Sequence, residues 1–257
     1  MKWNGSVVLI TGASRGIGRE IALAASKRGA RVGLMARAKD ELSEVLDACG
    51  GNGAIAVSDI ADRLQVESAV GALQRELGPA DILVNNAGIG AYGAVVDTDV
   101  DVIEHMMRVN YFGTVYATKA VLPGMIERKR GHIVMIASIA GRIGAPLEAG
   151  YSASKFAMIG FSEALSMEIK RKGIGLSIVD PGPVETHFTE ARGVPFADNT
   201  PKPVKAAAVA DLVIKAVERN KAEKFIPGWL SPAYTFKVLV PPAYRVGTMK
   251  TFGDLLK

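Results

Sequence analysis

The 257-residue chain is long enough for one globular domain, or at most two small ones. Hydrophobic residues at 49% against 22% charged exclude a disordered or fibrous protein, and a single cysteine, Cys49, excludes an intrachain disulfide framework and a cysteine-based zinc site. The net charge of +5 is scattered, and its densest basic run, Arg128-Lys129-Arg130, falls where a helix should end, so it reads as a solvated cap and not as a nucleic-acid surface.

Met1-Lys2-Trp3-Asn4 runs straight into a strand-like segment, which leaves no room for a signal peptide and predicts a reducing, cytoplasmic setting. The first predicted strand, 6–11, is nearly continuous in apolar residues, as a strand covered on both faces should be. It ends in Thr11-Gly12-Ala13-Ser14-Arg15-Gly16-Ile17-Gly18, which leads into a helix predicted at 16–28. Glycines at such a turn let the backbone bend tightly and let a pyrophosphate approach the amides, while the last one lets helix and sheet pack closely. The spacing G-x-x-x-G-x-G is one residue longer than the usual dinucleotide fingerprint. Glycines alone would mark any turn; placement between the first strand and first helix is what points to a dinucleotide.

The second strand, 31–36, is followed by Arg37, at the position where an NAD site places an acid on the ribose 2′-hydroxyl. An arginine there pairs with a 2′-phosphate, and Arg15 in the turn reaches the same region, so NADP(H) is favoured over NAD(H) although Asp40 lies close by in sequence. A helix at 40–48, a strand at 54–57, a helix at 62–77, a strand at 82–84, one long helix at 100–126 and a strand at 132–137 continue the alternation. This β-α-β rhythm, without repeats or linkers, predicts a single α/β domain with a doubly wound parallel sheet and helices on both faces.

Ser138 ends the fifth strand, and Tyr151-Ser152-Ala153-Ser154-Lys155 opens a helix at 151–172 after the loop 141–150. Tyr151 and Lys155, four residues apart, share one helical face. An ammonium nearby favours the phenolate and lowers tyrosine's ordinary pKa of about 10, which suits acid–base work on a carbonyl and alcohol pair. Ser138 is placed to donate to the same oxygen. After a sixth strand at 174–179, Pro181-Gly182-Pro183-Val184-Glu185-Thr186 opens a long segment, 183–203, that reads as a substrate loop or lid. A helix at 206–220 and a short strand at 224–226 follow. The tail, 227–257, is apolar and aromatic; Pro227, Pro232, Pro241, Pro242 and Lys237 forbid a membrane-spanning helix, and no amphipathic helix with a basic face can be drawn in it.

In this order and spacing, Thr11–Gly18, Asp59, Asn85-Asn86-Ala87-Gly88, Asn110, Ser138, Tyr151–Lys155 and Pro181–Thr186 resemble the short-chain dehydrogenase/reductase family, with a Rossmann-type fold, over nearly the whole chain to about Ile226. The resemblance implies that Tyr151 is the acid or base, that Lys155 lowers its pKa and holds the nicotinamide ribose, that Ser138 polarises the carbonyl, and that Asn110 anchors a water leading toward Lys155. It implies cofactor contacts at Gly12, Ser14, Arg15, Gly16, Ile17, Gly18 and Arg37, at Asp59 and Ile60 on adenine, and at Asn86, Ala87 and Gly88. Pro181, Gly182, Val184 and Thr186 would border the nicotinamide. Hydride passes directly, and no metal is needed.

The implied activity is interconversion of a ketone and a secondary alcohol. The small and apolar loop 141–148 together with 184–196 suggests a lipophilic substrate. The alternatives are a 3-oxoacyl reductase of fatty-acid type, against which the long tail argues, and a non-catalytic cofactor-binding regulator, against which the complete set of Asn110, Ser138, Tyr151 and Lys155 argues. A homo-oligomer is expected, but the tail puts the family's usual tetramer in doubt. Three readings of the tail stand, with most weight on the first two: a cover for the pocket, a partner surface, and a peripheral membrane contact. His105 and His132 read as structural, and His187 as an exposed loop residue at the opening of the lid.

Overall fold

The computed structural model describes residues 1–188 and 202–253. Seven strands form one parallel sheet: β1 (Val7–Thr11), β2 (Arg31–Ala36), β3 (Gly53–Val57), β4 (Ile82–Asn85), β5 (Gly131–Ile136), β6 (Ile174–Pro181) and β9 (Glu223–Ile226), in the spatial order 3-2-1-4-5-6-9. A separate two-residue pair, β7 (Val184–Glu185) with β8 (Val204–Lys205), brings the two ends of the 183–203 segment side by side. Residues 189–201 of the expected lid lie outside the described residues.

The apolar runs are continuous because both sheet faces are covered. In β1, Val8 and Ile10 point into one core with Ile21 and Ala22 of α1 (Gly16–Ser26), Leu42 of α2 (Lys39–Ala48), and Val209 and Val213 of α7 (Ala206–Glu218). Val7 and Leu9 point the other way, against Val70 and Leu73 of α3 (Arg63–Leu77), Val121 of α5 (Gly113–Glu127), and Met158 of α6 (Ala149–Lys170). Alternate side chains of one strand therefore serve two cores, which is what removes the polar-apolar alternation. The chain order reverses between β1 and β4, and at that point an open parallel sheet leaves a crevice beyond its carboxyl ends.

Two expectations about helices are corrected. The predicted helix 100–126 is two helices, α4 (Val100–Met107) and α5, joined through a wide π-type turn at Arg108–Phe112. The extra residue in that turn lets Asn110 point inward to backbone groups of the β4 loop, and apolar periodicity does not report a single inserted residue. The tail, to which the sequence assigns no helix, forms α8 (Leu230–Leu239) and α9 (Pro241–Phe252), although neither is an amphipathic helix with a basic face, in keeping with that part of the expectation. Pro241 and Pro242 occupy the first turn of α9, where a missing N–H costs nothing.

Candidate active site

Thr11 clamps the end of β1 to the end of β4. Its Oγ1 accepts hydrogen bonds from the amides of Asn86 and Ala87, both at 3.0 Å. Asn86 Nδ2 donates in return to the carbonyls of Thr11 (2.9 Å) and Gly12 (3.0 Å). This leaves no space at two glycines: a Cβ on Gly12, whose φ is +63°, would stand 2.8 Å from Ala87 Cα, and one on Gly18 would stand 2.3 Å from the Gly12 carbonyl oxygen. Helix α1 begins at Gly16 with no side-chain cap and no acid in its first turn, so its first amides face the crevice unneutralised. That is a fit for a pyrophosphate.

A cavity of about 920 Å³ runs from this turn to the tail. It is lined by Gly12, Ser14, Arg15, Gly16, Ile17, Arg37, Asp59, Ile60, Asn86, Ala87 and Gly88 at one end, and by Ser138, Tyr151, Lys155, Pro181, Gly182, Val184 and Thr186 toward the other. Gly18 and Asn110 are not in its wall. Gly18 is a packing requirement behind the turn. Asn110, fully buried, accepts from the Ile89 amide at 2.8 Å and donates to the Ile89 carbonyl (2.9 Å) and Ser154 Oγ (2.8 Å), tying the β4 loop to α6. Arg15 and Arg37 are exposed at the cavity edge and make no ion pair among the described residues. Asp40 is not in the wall, whereas Glu41, which the sequence did not single out, is.

Ser138 follows β5 and accepts from the Ala140 amide at 3.1 Å, starting the turn Ile139–Gly141. Tyr151 and Lys155 lie one turn apart on α6, both buried. Lys155 Nζ donates to the Ile136 carbonyl at 2.9 Å and stands 5.9 Å from the centre of the Tyr151 ring. The Phe188 ring packs against the Tyr151 ring, tilted to it, at 5.5 Å between centres. Burial lowers the Lys155 ammonium from 10.5 to about 8, and the charge of Asp180 opposes that shift.

This shift carries a prediction. Between pH 8 and 10.5 the unfolded chain holds the Lys155 proton more tightly than the folded one, so this group makes stability rise with pH there. In Lys155→Met that contribution vanishes. The stability of the variant relative to wild type should therefore fall as pH climbs through the window, as read by denaturant unfolding at several pH values; a pH-independent difference would refute the burial of a charged Lys155.

Sequence reasoning missed a charge cluster beside the site, built on a buried Arg142–Asp180 pair with the more exposed Glu163 and Glu223 around it. Arg142, in the loop between Ser138 and Tyr151, bonds Asp180 Oδ2 at 3.2 Å and Glu163 Oε1 at 2.8 Å, and meets Glu223 of β9. Asp180 is fully buried, and its carboxyl is pushed up to about 7 by burial in spite of Arg142. The Tyr234 ring of α8 covers the guanidinium at 5.6 Å, and Lys237 Nζ donates to the Arg142 carbonyl at 2.5 Å. The tail is thus tied to the loop that carries Ser138. Trp229, Leu230, Ala233, Tyr234 and Tyr244 all line the cavity. His105 and His187 line it too, the first from a helix face that its spacing alone could not aim.

A doubly wound sheet with a glycine turn at its switch point, and a serine, tyrosine and lysine in the same cavity, define a nicotinamide-dependent oxidoreductase acting on CH–OH groups. The short chain dehydrogenase family model matches residues 6–194, and the chain belongs to that family. The chain is 35% identical over 264 residues to dehydrogenase/reductase SDR family member 7B of Mus musculus, covering 93% of this chain and 82% of that protein. It is 37% identical over 251 residues to the 3-dehydrosphinganine reductase of Danio rerio, covering 91% and 76%. Among solved structures, a variant of actinorhodin polyketide ketoreductase with NADPH superposes with a TM-score of 0.80 at 32% identity, covering 88% of this chain and 97% of that one.

Proposed function

We propose that the chain is an NADP(H)-dependent enzyme interconverting a ketone and a secondary alcohol on a lipophilic substrate. The carrying observation is that Ser138, Tyr151 and Lys155 open into the same cavity as the glycine turn, while the wall beyond them is largely apolar and includes Trp229, Leu230 and Tyr234 of the tail. Bound nicotinamide would supply or accept the hydride. The Tyr151 hydroxyl gives its proton to the carbonyl oxygen in reduction and takes it back in oxidation. The Lys155 ammonium stabilises the resulting phenolate, and the Ser138 hydroxyl donates to the substrate oxygen. Trp229 and Tyr234 exclude water from the substrate end, and with Leu230, Ala233 and Tyr244 they cover it. The names of the similar proteins, a 3-dehydrosphinganine reductase and a polyketide ketoreductase, support this reading.

Arg15 and Arg37, exposed at the cavity edge and without an ion pair among the described residues, support the choice of NADP(H); Glu41 in the same stretch of wall opposes it. One charge-assisted pair with a 2′-phosphate is worth about 1.5–3 kcal/mol. Arg37→Ala should therefore weaken NADPH by about 10- to 100-fold and leave NADH nearly unchanged. Fluorescence titration with both nucleotides checks this, and tighter NADH binding by the wild type would sink it. The substrate class is tested with a panel of ketones and alcohols followed at the nicotinamide absorbance. Turnover confined to small polar carbonyls would overturn the lipophilic reading.

A further inference from the structure

Helix α9 packs on α8 and is largely exposed. Of residues 241–250 only Tyr244 and Thr248 are even half-covered, and a helix of this length is marginal in water on its own. Apolar side chains are among those it exposes: Val246 is 70% exposed and Met249 60%, and Leu239, at the end of α8, is 74% exposed. Trp229 is 54% exposed and lines the substrate cavity at the same time, as Tyr244 does, so this apolar surface runs into the cavity mouth.

The charge of the segment is one-sided. Residues 227–257 contain Lys237, Arg245, Lys250 and Lys257 against one acidic residue, Asp254. Lys237 is used internally, on the Arg142 carbonyl, while Arg245 and Lys250 remain exposed beside Val246 and Met249. We propose that α8 and α9 form a docking surface for a membrane leaflet containing anionic lipid, seated around the mouth of the substrate cavity. An anionic headgroup layer accepts both halves of this surface, the apolar side chains at the acyl boundary and the two cations among the phosphates. Trp229 is of the type that settles at that boundary. A second copy of the chain docking through this face in an isologous contact would set Arg245 and Lys250 near their own images. The surface lies on the bilayer and does not cross it, since no described helix is long and apolar enough to span one. A lipophilic substrate would then pass between lipid and cavity without entering water.

The test is co-sedimentation of the full-length protein with vesicles of phosphatidylcholine, with and without phosphatidylserine. Wild type is expected to bind the anionic vesicles. The triple variant Leu239→Glu, Val246→Glu and Met249→Glu, whose positions are exposed and outside the cavity wall, should lose at least about tenfold in partition. Its turnover of a water-soluble ketone should be unchanged, which shows that it folds. Docking is overturned by wild type staying in the supernatant with both lipids, by equal binding to neutral vesicles, or by a variant that binds as well as wild type. Loss of a dimer in the variant, seen by analytical ultracentrifugation without any vesicle binding, overturns it in favour of a second copy. Vesicle binding is read without catalysis, so this inference fails separately from the proposed reaction.

Discussion

Tyr151→Phe should lower turnover by about 10²- to 10⁴-fold, the share that a positioned acid or base contributes. The substitution is conservative in every other respect. The ring keeps its contacts with Phe188, at 5.5 Å, and with the Lys155 ammonium, at 5.9 Å, and only the hydroxyl is lost. The substrate oxygen then has the Ser138 hydroxyl to orient it but no proton donor. Nucleotide affinity should change little, because the glycine turn and Arg37 are untouched. Steady-state kinetics with a fluorescence titration of NADPH separates the two effects. Turnover within a few-fold of wild type would remove Tyr151 from the proton transfer.

The second large effect is on stability. Arg142→Met should destabilise the protein by about 3–5 kcal/mol at about pH 9–10, where Asp180 is ionised in wild type and the variant must either bury that charge unpaired or keep it protonated. Burial already holds the Asp180 carboxyl at about 7 with the guanidinium present, and its removal pushes the carboxyl higher. With the folded pKa above the unfolded one, the native state binds the extra proton, so this group makes stability fall as pH rises from about 4 to 7. In Arg142→Met that decline becomes larger and extends to higher pH. The variant should therefore fall further behind wild type as pH climbs above about 7 and recover toward it on return to neutral pH, and Arg142→Met with Asp180→Asn should recover much of the loss at alkaline pH. Denaturant midpoints across pH measure both. A loss that is the same at all pH values would mean that Arg142 contributes packing alone.

The sheet was legible before the structure because a parallel sheet leaves a strong trace. Covered on both faces, its strands become short apolar runs, and the helices between them keep their period. The nucleotide turn was legible for a related reason: close backbone approach at Gly12 and Gly18 tolerates no side chain, so the requirement is written in residue type. The wide turn at Arg108–Phe112 was not, since one inserted residue barely disturbs a helical pattern over 27 positions. Nor was the charge cluster. Arg142, Glu163, Asp180 and Glu223 are distant in sequence and look like ordinary surface charges until the fold buries Asp180.

From the sequence alone came the order of elements, the pairing of Tyr151 with Lys155 on one helical face, and the residues able to approach a dinucleotide. These are local matters, set by period, by backbone sterics and by side-chain chemistry. Only the tertiary structure decided that Asn110 and Gly18 stand behind the cavity wall while His105 and Glu41 stand in it. The same holds for the tail, whose proline-rich stretch turned out to be two helices with Trp229 and Tyr244 at the substrate end. Which side chains share a cavity depends on how separate elements pack, and no local pattern carries that.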